Sequence, residues 1–286
     1  MAVAIAPGSC GELVQGMVDG RYLLVTCPVS WYSEVEVIPG VAGRLPAHQR
    51  KLGQAIVRWL TQYGRPTEPF LVRVRSALPR GKGMASSSAD IAAACVAIAK
   101  AMGQTISAME IAEIAVAIEP SDGIFFPGIV AFDHVKGLWH TSLGDPPKMT
   151  LAVFDTGGRI DTVRFNRRTD LLDLNRQKAE AVARAYALVA QGLAIGDPRM
   201  IGEGATISAL ANQCIVEKRG LADAVRCVTE YGAVGINTAH SGTVIGILFD
   251  DHHLDGYSAC VRQLLQEHNW HYLGQAKLVS GGIFSQ

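Results

Sequence analysis

Residues 78–90 read Leu78-Pro79-Arg80-Gly81-Lys82-Gly83-Met84-Ala85-Ser86-Ser87-Ser88-Ala89-Asp90. The alternating run before them, Phe70-Leu71-Val72-Arg73-Val74-Arg75, predicts a strand. The Ala-rich run after them, from about Ser86 to Met102, predicts a helix with Ile91, Cys95, Ile98 and Met102 on one buried stripe. A small-residue loop opening a helix is a place for phosphates. The first amides of a helix lack intrahelical acceptors, and the helix dipole favours an anion. Lys82, between two glycines, adds a positive point charge. The same residues also suit a Ser-capped turn at the start of an ordinary helix.

Two familiar glycine-rich loops do not fit. A Walker A loop requires G-x-x-x-x-G-K-[ST], which no stretch supplies. A dinucleotide fingerprint requires a third glycine where Ser86 stands, and an acidic residue about 20 positions on, where the chain reads Lys100-Ala101-Met102-Gly103.

Two further segments bear on the same question. Ala6-Pro7-Gly8-Ser9-Cys10-Gly11-Glu12-Leu13-Val14-Gln15-Gly16 is a glycine-interrupted strand where backbone can approach a ligand, or a plain first hairpin. Gly235-Ile236-Asn237-Thr238-Ala239-His240-Ser241-Gly242-Thr243-Val244-Ile245-Gly246-Ile247 sets a small polar turn between two apolar runs, at 233–239 and 244–249, which also reads as a β-hairpin.

In this order, the three segments resemble the motifs of the GHMP kinases, named for galactose, homoserine, mevalonate and phosphomevalonate kinases. The central family motif P-x-x-x-G-L-G-S-S-A is matched by Pro79, Gly83, Met84 for Leu, Ala85 for Gly, Ser86, Ser87, and Ser88 for Ala. The opening segment is similar to the family's A-P-G-x…G-E element in compressed form, and residues 235–247 to its third, glycine-rich motif. The likeness spans residues 6 to 246. It implies an α+β, two-domain fold. An N-terminal mixed α/β nucleotide-binding domain would cover 1–146 and a C-terminal ferredoxin-like α/β domain 147–286, with the boundary at Pro146-Pro147 and the ligands between them.

The resemblance also implies roles. ATP would lie on Pro79, Gly81, Lys82, Gly83, Met84, Ala85, Ser86, Ser87 and Ser88, and Mg²⁺ on Ser87 and Glu119. Asp122 would take the acceptor's hydroxyl proton while Lys82 neutralises phosphate charge, making these two the catalytic candidates. Glu119 and Asp122 are closer together here than in mevalonate-type members, which leaves Glu110 and Glu113 as alternative metal ligands. Glu119-Pro120-Ser121-Asp122 equally has the composition of a helix-ending turn. Ser9, Glu12, His240, Ser241, Gly242 and Thr243 would contact the acceptor, and Asp155-Thr156-Gly157-Gly158-Arg159 is either a further lining segment or a tight turn. Within the family, the motifs look closest to the branch that phosphorylates L-threonine for adenosylcobalamin. Composition and spacing do not show threonine. Another small alcohol, such as homoserine or an isoprenoid acid, stays open, as does a nucleotide-binding sensor without catalysis.

Composition sets limits. A chain of 286 residues is long enough for a large core, and its 26 Lys and Arg balance 26 Asp and Glu without a basic stripe. That gives no support for a nucleic-acid or anionic-membrane partner. The six cysteines lack C-x-x-C spacing, so neither a zinc knuckle nor a disulfide framework is expected, and scattered thiols fit the cytoplasm. The amino terminus shows no charged leader, and no run approaches the roughly 18 apolar residues of a membrane span. The oligomeric state is open, a homodimer being one option. His240 reads as a turn histidine beside a ligand, and the other seven, including His252-His253, as surface or interface residues.

The remaining pattern predicts several strands in 2–39 and a helix over 47–63. Ser107-Ala108-Met109-Glu110 is a capping box opening a helix through Ile118. Strands follow near 129–133 and 149–155, and helices near 171–191, 197–211, 221–230 and 254–267, before a last strand near 271–279.

Overall fold

Residues 2–39 form two long antiparallel strands, β1 (Ala2–Val18) and β2 (Arg21–Pro39), instead of the several short ones expected. Asp19 and Gly20 make the tight turn between them, both at positive φ, as a two-residue hairpin demands. Register shifts at Pro7/Gly8, Ser9/Glu12 and Glu12/Val14 bend β1 without ending it. Bulges there do what the prolines and glycines seemed to do as breaks. The computed structural model describes residues 1–286 apart from 44, 46–48, 65–67, 159–167 and 286.

The other strands are β3 (Phe70–Ser76), β4 (Ile129–Phe132), β5 (His140–Gly144), β6 (Met149–Asp155), β7 (Gly235–Thr238), β8 (Val244–Asp250), β9 (His271–Lys277) and β10 (Phe284–Ser285). Among the described residues they make one sheet in the order β5-β4-β2-β1-β7-β8-β6-β9, with β3 also on β2 and β10 also on β1. Sequence pattern missed β5 and β10. The first is a mostly exposed edge with no apolar alternation, and the second is two residues long.

Helices α1 (Arg50–Tyr63), α2 (Ser86–Ala101) and α3 (Ala108–Val116) share one core with β1 and β2. Positions 47 and 48 of the expected first helix lie outside the described residues. Helix α2 is not amphipathic with one buried stripe. Ser88 through Cys95 and Ala97 through Ala99 are all buried. Alanines let it sit against the sheet on one side and α1 and α3 on the others, so apolar residues meet protein all round. The capping box of α3 is complete, with Ser107 and Glu110 satisfying each other's backbone amides.

The helix expected over 171–191 is interrupted at Lys178, giving α4 (Leu171–Gln177) and α5 (Ala179–Ile195). The Lys178 side chain is drawn into the interior, donating to the Gln15 carbonyl at 3.1 Å and to Asn212 Oδ1 at 2.7 Å. Helices α6 (Pro198–Ala211), α7 (Leu221–Glu230) and α8 (Tyr257–Glu267) complete the described set. In the second half of the chain the antiparallel order β9-β6-β8-β7, with crossover helices after β6 and β8, is the split βαβ arrangement of ferredoxin-like domains. Pro146 and Pro147 lie between β5 and β6, where the chain passes from one half of the sheet order to the other.

Candidate active site

The three distant segments meet through their backbones. Ser9 N donates to Met84 O at 3.1 Å and Gly11 N to Gly83 O at 3.2 Å. From the other side, Thr243 N and Val244 N both donate to Lys82 O, at 2.9 and 3.1 Å. The loop at 81–84 is thus clamped between the bulged part of β1 and the β7–β8 turn. Side chains have no room in this clamp. A Cβ on Gly83 would stand 2.4 Å from Ala239 Cβ, and one on Gly242 would stand 2.2 Å from Lys82 O. These two glycines answer to close backbone approach.

The loop then enters α2 through Ala85, whose φ of 53° lies in the left-handed region where the family motif has glycine. No side chain caps the helix start. Ser86 and Ser87 are partly exposed there and Ser88 is buried, and the first amides of the helix are left without intrahelical acceptors. Arg80 is fastened to Asp90 of α2 at 3.0 Å, and Ser33 Oγ donates to Asp90 at 2.5 Å. Asp90 therefore holds the loop's shoulder, a task its sequence position did not suggest.

Lys82 reaches across the site. Its ammonium lies 2.6 Å from Asp155 at the end of β6 and 3.2 Å from the Gly158 carbonyl. Partial burial works to raise the pKa of Asp155, but the bonds from Lys82 and from the Gly157 amide outweigh it and hold the carboxyl below the usual range. The segment beginning at Asp155 does line the site through this pair; Arg159 lies outside the described residues.

Glu12 and Asp122 lie carboxyl to carboxyl. Burial, and then the neighbouring Asp122, push Glu12 well above the ordinary carboxylate range. Burial also raises Asp122, while a hydrogen bond from Glu12 pulls it back. Burial and mutual proximity raise both carboxyls, so the two ionise as a coupled pair. Glu12 Oε2 and Ser9 Oγ are buried and have no hydrogen-bond partner. The turn carrying Asp122 is anchored by Gly123 N, which donates to Thr26 Oγ1 at 3.3 Å, and by Ser121 N, which donates to the His134 carbonyl at 3.0 Å.

The metal candidates differ in their surroundings. The Glu110 carboxylate is taken up by the Ser107 amide and hydroxyl at 2.7 Å each, and Glu113 is exposed on α3. Glu119 is largely buried and holds the Lys51 ammonium. Among the described residues no three or more His, Cys, Asp or Glu side chains are grouped to hold a metal. Ser87 and Glu119 offer one hydroxyl and one carboxylate. Hydroxyl and carboxylate oxygens are donors of the kind Mg²⁺ takes, alongside waters and phosphate oxygens.

His240 is half-buried, with Nδ1 at 3.1 Å from Gln15 Oε1, and desolvation drives its pKa well below the usual imidazole value. One histidine was misread from sequence. His134 is not at the surface but 5 % exposed, its ring 5.3 Å from that of His240. It follows β4 in a turn whose own pattern is polar, so only the packing of that turn against His240 could reveal it. Both rings line a cavity of about 270 Å³ together with Tyr22, Pro120, Arg168 and Asn175.

Residues 50–126 match the model of the GHMP kinases N terminal domain and residues 176–275 that of the GHMP kinases C terminal domain. The chain is 33% identical over 288 residues to an L-threonine kinase of Salmonella typhimurium (strain LT2), covering 99% of this chain and 95% of that protein. Its fold is similar to a homoserine kinase from Cytophaga hutchinsonii, with TM-score 0.70 and 18% identity over 100% of this chain and 97% of that one. It is also similar to MDDEF in complex with MVAPP, AMPPCP and magnesium, with TM-score 0.73 and 14% identity over 100% and 98% of the two chains.

Proposed function

The chain belongs to the GHMP kinase family, and from that membership we propose that it transfers the γ-phosphoryl group of ATP to the hydroxyl of L-threonine, giving O-phospho-L-threonine and ADP. The observation that carries the reading is the convergence of residues 9–12, 82–88 and 241–243 around the Glu12–Asp122 pair. Identity to L-threonine kinases over nearly the full chain supports the choice of acceptor.

Phosphoryl transfer needs the phosphate charge neutralised, the acceptor held in line, and its proton received. Helix-start amides, the Ser86–Ser88 hydroxyls and Lys82 hold the phosphates, with Pro79, Gly81, Gly83, Met84 and Ala85 shaping the loop around them. Ser87 and Glu119 would hold Mg²⁺, which would supply further positive charge at the phosphate oxygens. Asp122 receives the hydroxyl proton, and the neutral Glu12 donates to it and keeps it ionised. Ser9, His240, Ser241, Gly242 and Thr243 form the acceptor side. We assign residues 1–146 and 147–286 to the two domains, and place the enzyme in the cytoplasm; six free cysteines, five of them buried, support the latter.

Release of ADP from Mg²⁺-ATP, measured against L-threonine, L-serine, L-homoserine and mevalonate, tests the reading. Threonine-dependent ADP with phosphothreonine as product is the expected result. Turnover with another alcohol alone would discard threonine, and ATP binding with no turnover on any acceptor would favour a sensor.

A further inference from the structure

Near the His134–His240 cavity, though not among its lining residues, are two lysines in an unusual state. Lys178 and Lys218 are 5 % and 3 % exposed. Lys178 finds only neutral acceptors, the Gln15 carbonyl and Asn212 Oδ1, while Lys218 Nζ has no hydrogen-bond partner. Among the described residues neither forms an ion pair. Both are close enough to His240 for their charge to depress its basicity.

The nearby acids are spent elsewhere. Asp133 accepts from the amides of Val135, Lys136 and Leu138, and Asp170 is bound to Arg168. More polar atoms here are buried without a partner: His134 Nδ1 and Asn175 Oδ1, on residues that line the cavity, and Asn212 Nδ2 beside Lys178. Burial pulls both lysines down to about 8, the response of cations that lack a counterion. Buried charges are ordinarily paired, so among the described residues this cluster is short of one small anion.

We infer that the cavity bounded by His134, Asn175 and His240, with Lys178 and Lys218 nearby, receives the carboxylate of the acceptor and selects for acceptors that carry one. The inference rests on the threonine-kinase reading and names the part of the substrate recognised here. Position supports it. Pro120, at one wall, is two residues from Asp122, and His240 leads into the turn that clamps the phosphate loop. Gln15 ties the cavity to the catalytic pair: its Oε1 meets His240, and its Nε2 donates to the carbonyl of Thr238, the strand partner of Glu12. A volume of about 270 Å³ suits an amino acid. It falls below the roughly 300 Å³ at which drug- and cofactor-sized pockets begin. An inorganic anion would satisfy the same charges, and the test separates the two.

The measurement is kcat and KM for L-threonine and for L-threoninamide, which keeps the hydroxyl and ammonium but has no carboxylate, in wild type and in Lys218→Met and Lys178→Met. Wild type is expected to favour threonine by about 100-fold or more in kcat/KM. Each variant should reduce that preference at least tenfold, through KM for threonine, with KM for ATP within twofold of wild type. Melting curves identify a variant that fails to fold, in which case Lys218→Gln or Lys178→Gln takes its place. Full preference in a folded variant, with a wild-type KM for threonine, would overturn the assignment. If wild type does not phosphorylate threonine, the functional reading has failed, and thermal shifts with L-threonine, L-homoserine and mevalonate decide the inference separately. Stabilisation by the carboxylates in wild type but not in Lys218→Met would keep it, and no stabilisation would end it. Stabilisation by sulfate or phosphate that no carboxylate ligand competes away would also overturn it.

Discussion

The ammonium of Lys82 lies 2.6 Å from the carboxylate of Asp155, joining the phosphate loop to the far end of β6. Phosphates would have to share or displace this partner. Lys82→Met is therefore expected to raise KM for ATP about tenfold or more, the scale of one lost charge-assisted hydrogen bond. An unchanged KM would leave Lys82 with only its structural partner.

The same pair has a pH signature. The pKa of Asp155 is depressed in the folded protein, so its contribution is present above the unfolded value of about 3.9 and is lost as pH falls through the folded one. Asp155→Asn should flatten the fall in melting temperature on the acid side of about pH 4. A variant that melts in parallel with wild type across that range would contradict the linkage.

Asp122→Asn should lower kcat by about 10²-fold or more with ATP binding retained, the range for removing a general base. Because burial raises Asp122, the acid limb of kcat against pH should sit above that of a free aspartate. Glu12→Gln preserves a donor to Asp122 and should keep the limb in place, whereas Glu12→Ala removes it and should move the limb upward. Equal profiles for the two variants would show that Glu12 does not set the ionisation of Asp122.

Ala85 carries a Cβ at φ 53°, at a cost of roughly 1–2 kcal/mol for a non-glycine residue. Ala85→Gly should raise stability by about 1 kcal/mol or less, since the added freedom of the unfolded chain offsets part of the relief. Gly242→Ala should do the opposite, losing about 1–3 kcal/mol because its Cβ meets the Lys82 carbonyl at 2.2 Å. Chemical denaturation of both variants gives the signs directly.

Glu119 and Lys51 form an ion pair in the region assigned to Mg²⁺. Glu119→Gln should raise the Mg²⁺ concentration for half-maximal turnover, and Lys51→Met should lower it by freeing the carboxylate. A Mg²⁺ dependence that moves in neither variant would remove Glu119 from the ligand set.

Much of the fold was legible in local pattern. The strand at 70–76, the loop at 81–85 and the helix from Ser86 are specified by residues close in sequence, and the capping box at Ser107–Glu110 formed as read. Where pattern failed, another part of the chain had intervened. Helix α2 is buried all round because α1 and α3 cover its outer faces. The helix over 171–191 is broken at Lys178, whose side chain is bound to Gln15 and Asn212.

By itself the sequence determined most of the elements, the three glycine-rich segments and the carboxylates at positions 12 and 122. Each of these depends on backbone preferences or residue chemistry that act over a few positions. Only the tertiary structure decided that Lys82 meets Asp155, that Glu12 and Asp122 lie carboxyl to carboxyl, and that His134 stands with His240 near two buried lysines. Burial is the physical reason. The state of an ionisable group depends on how much water its neighbours remove and which charges they bring, and those neighbours come from strands and helices remote in the chain.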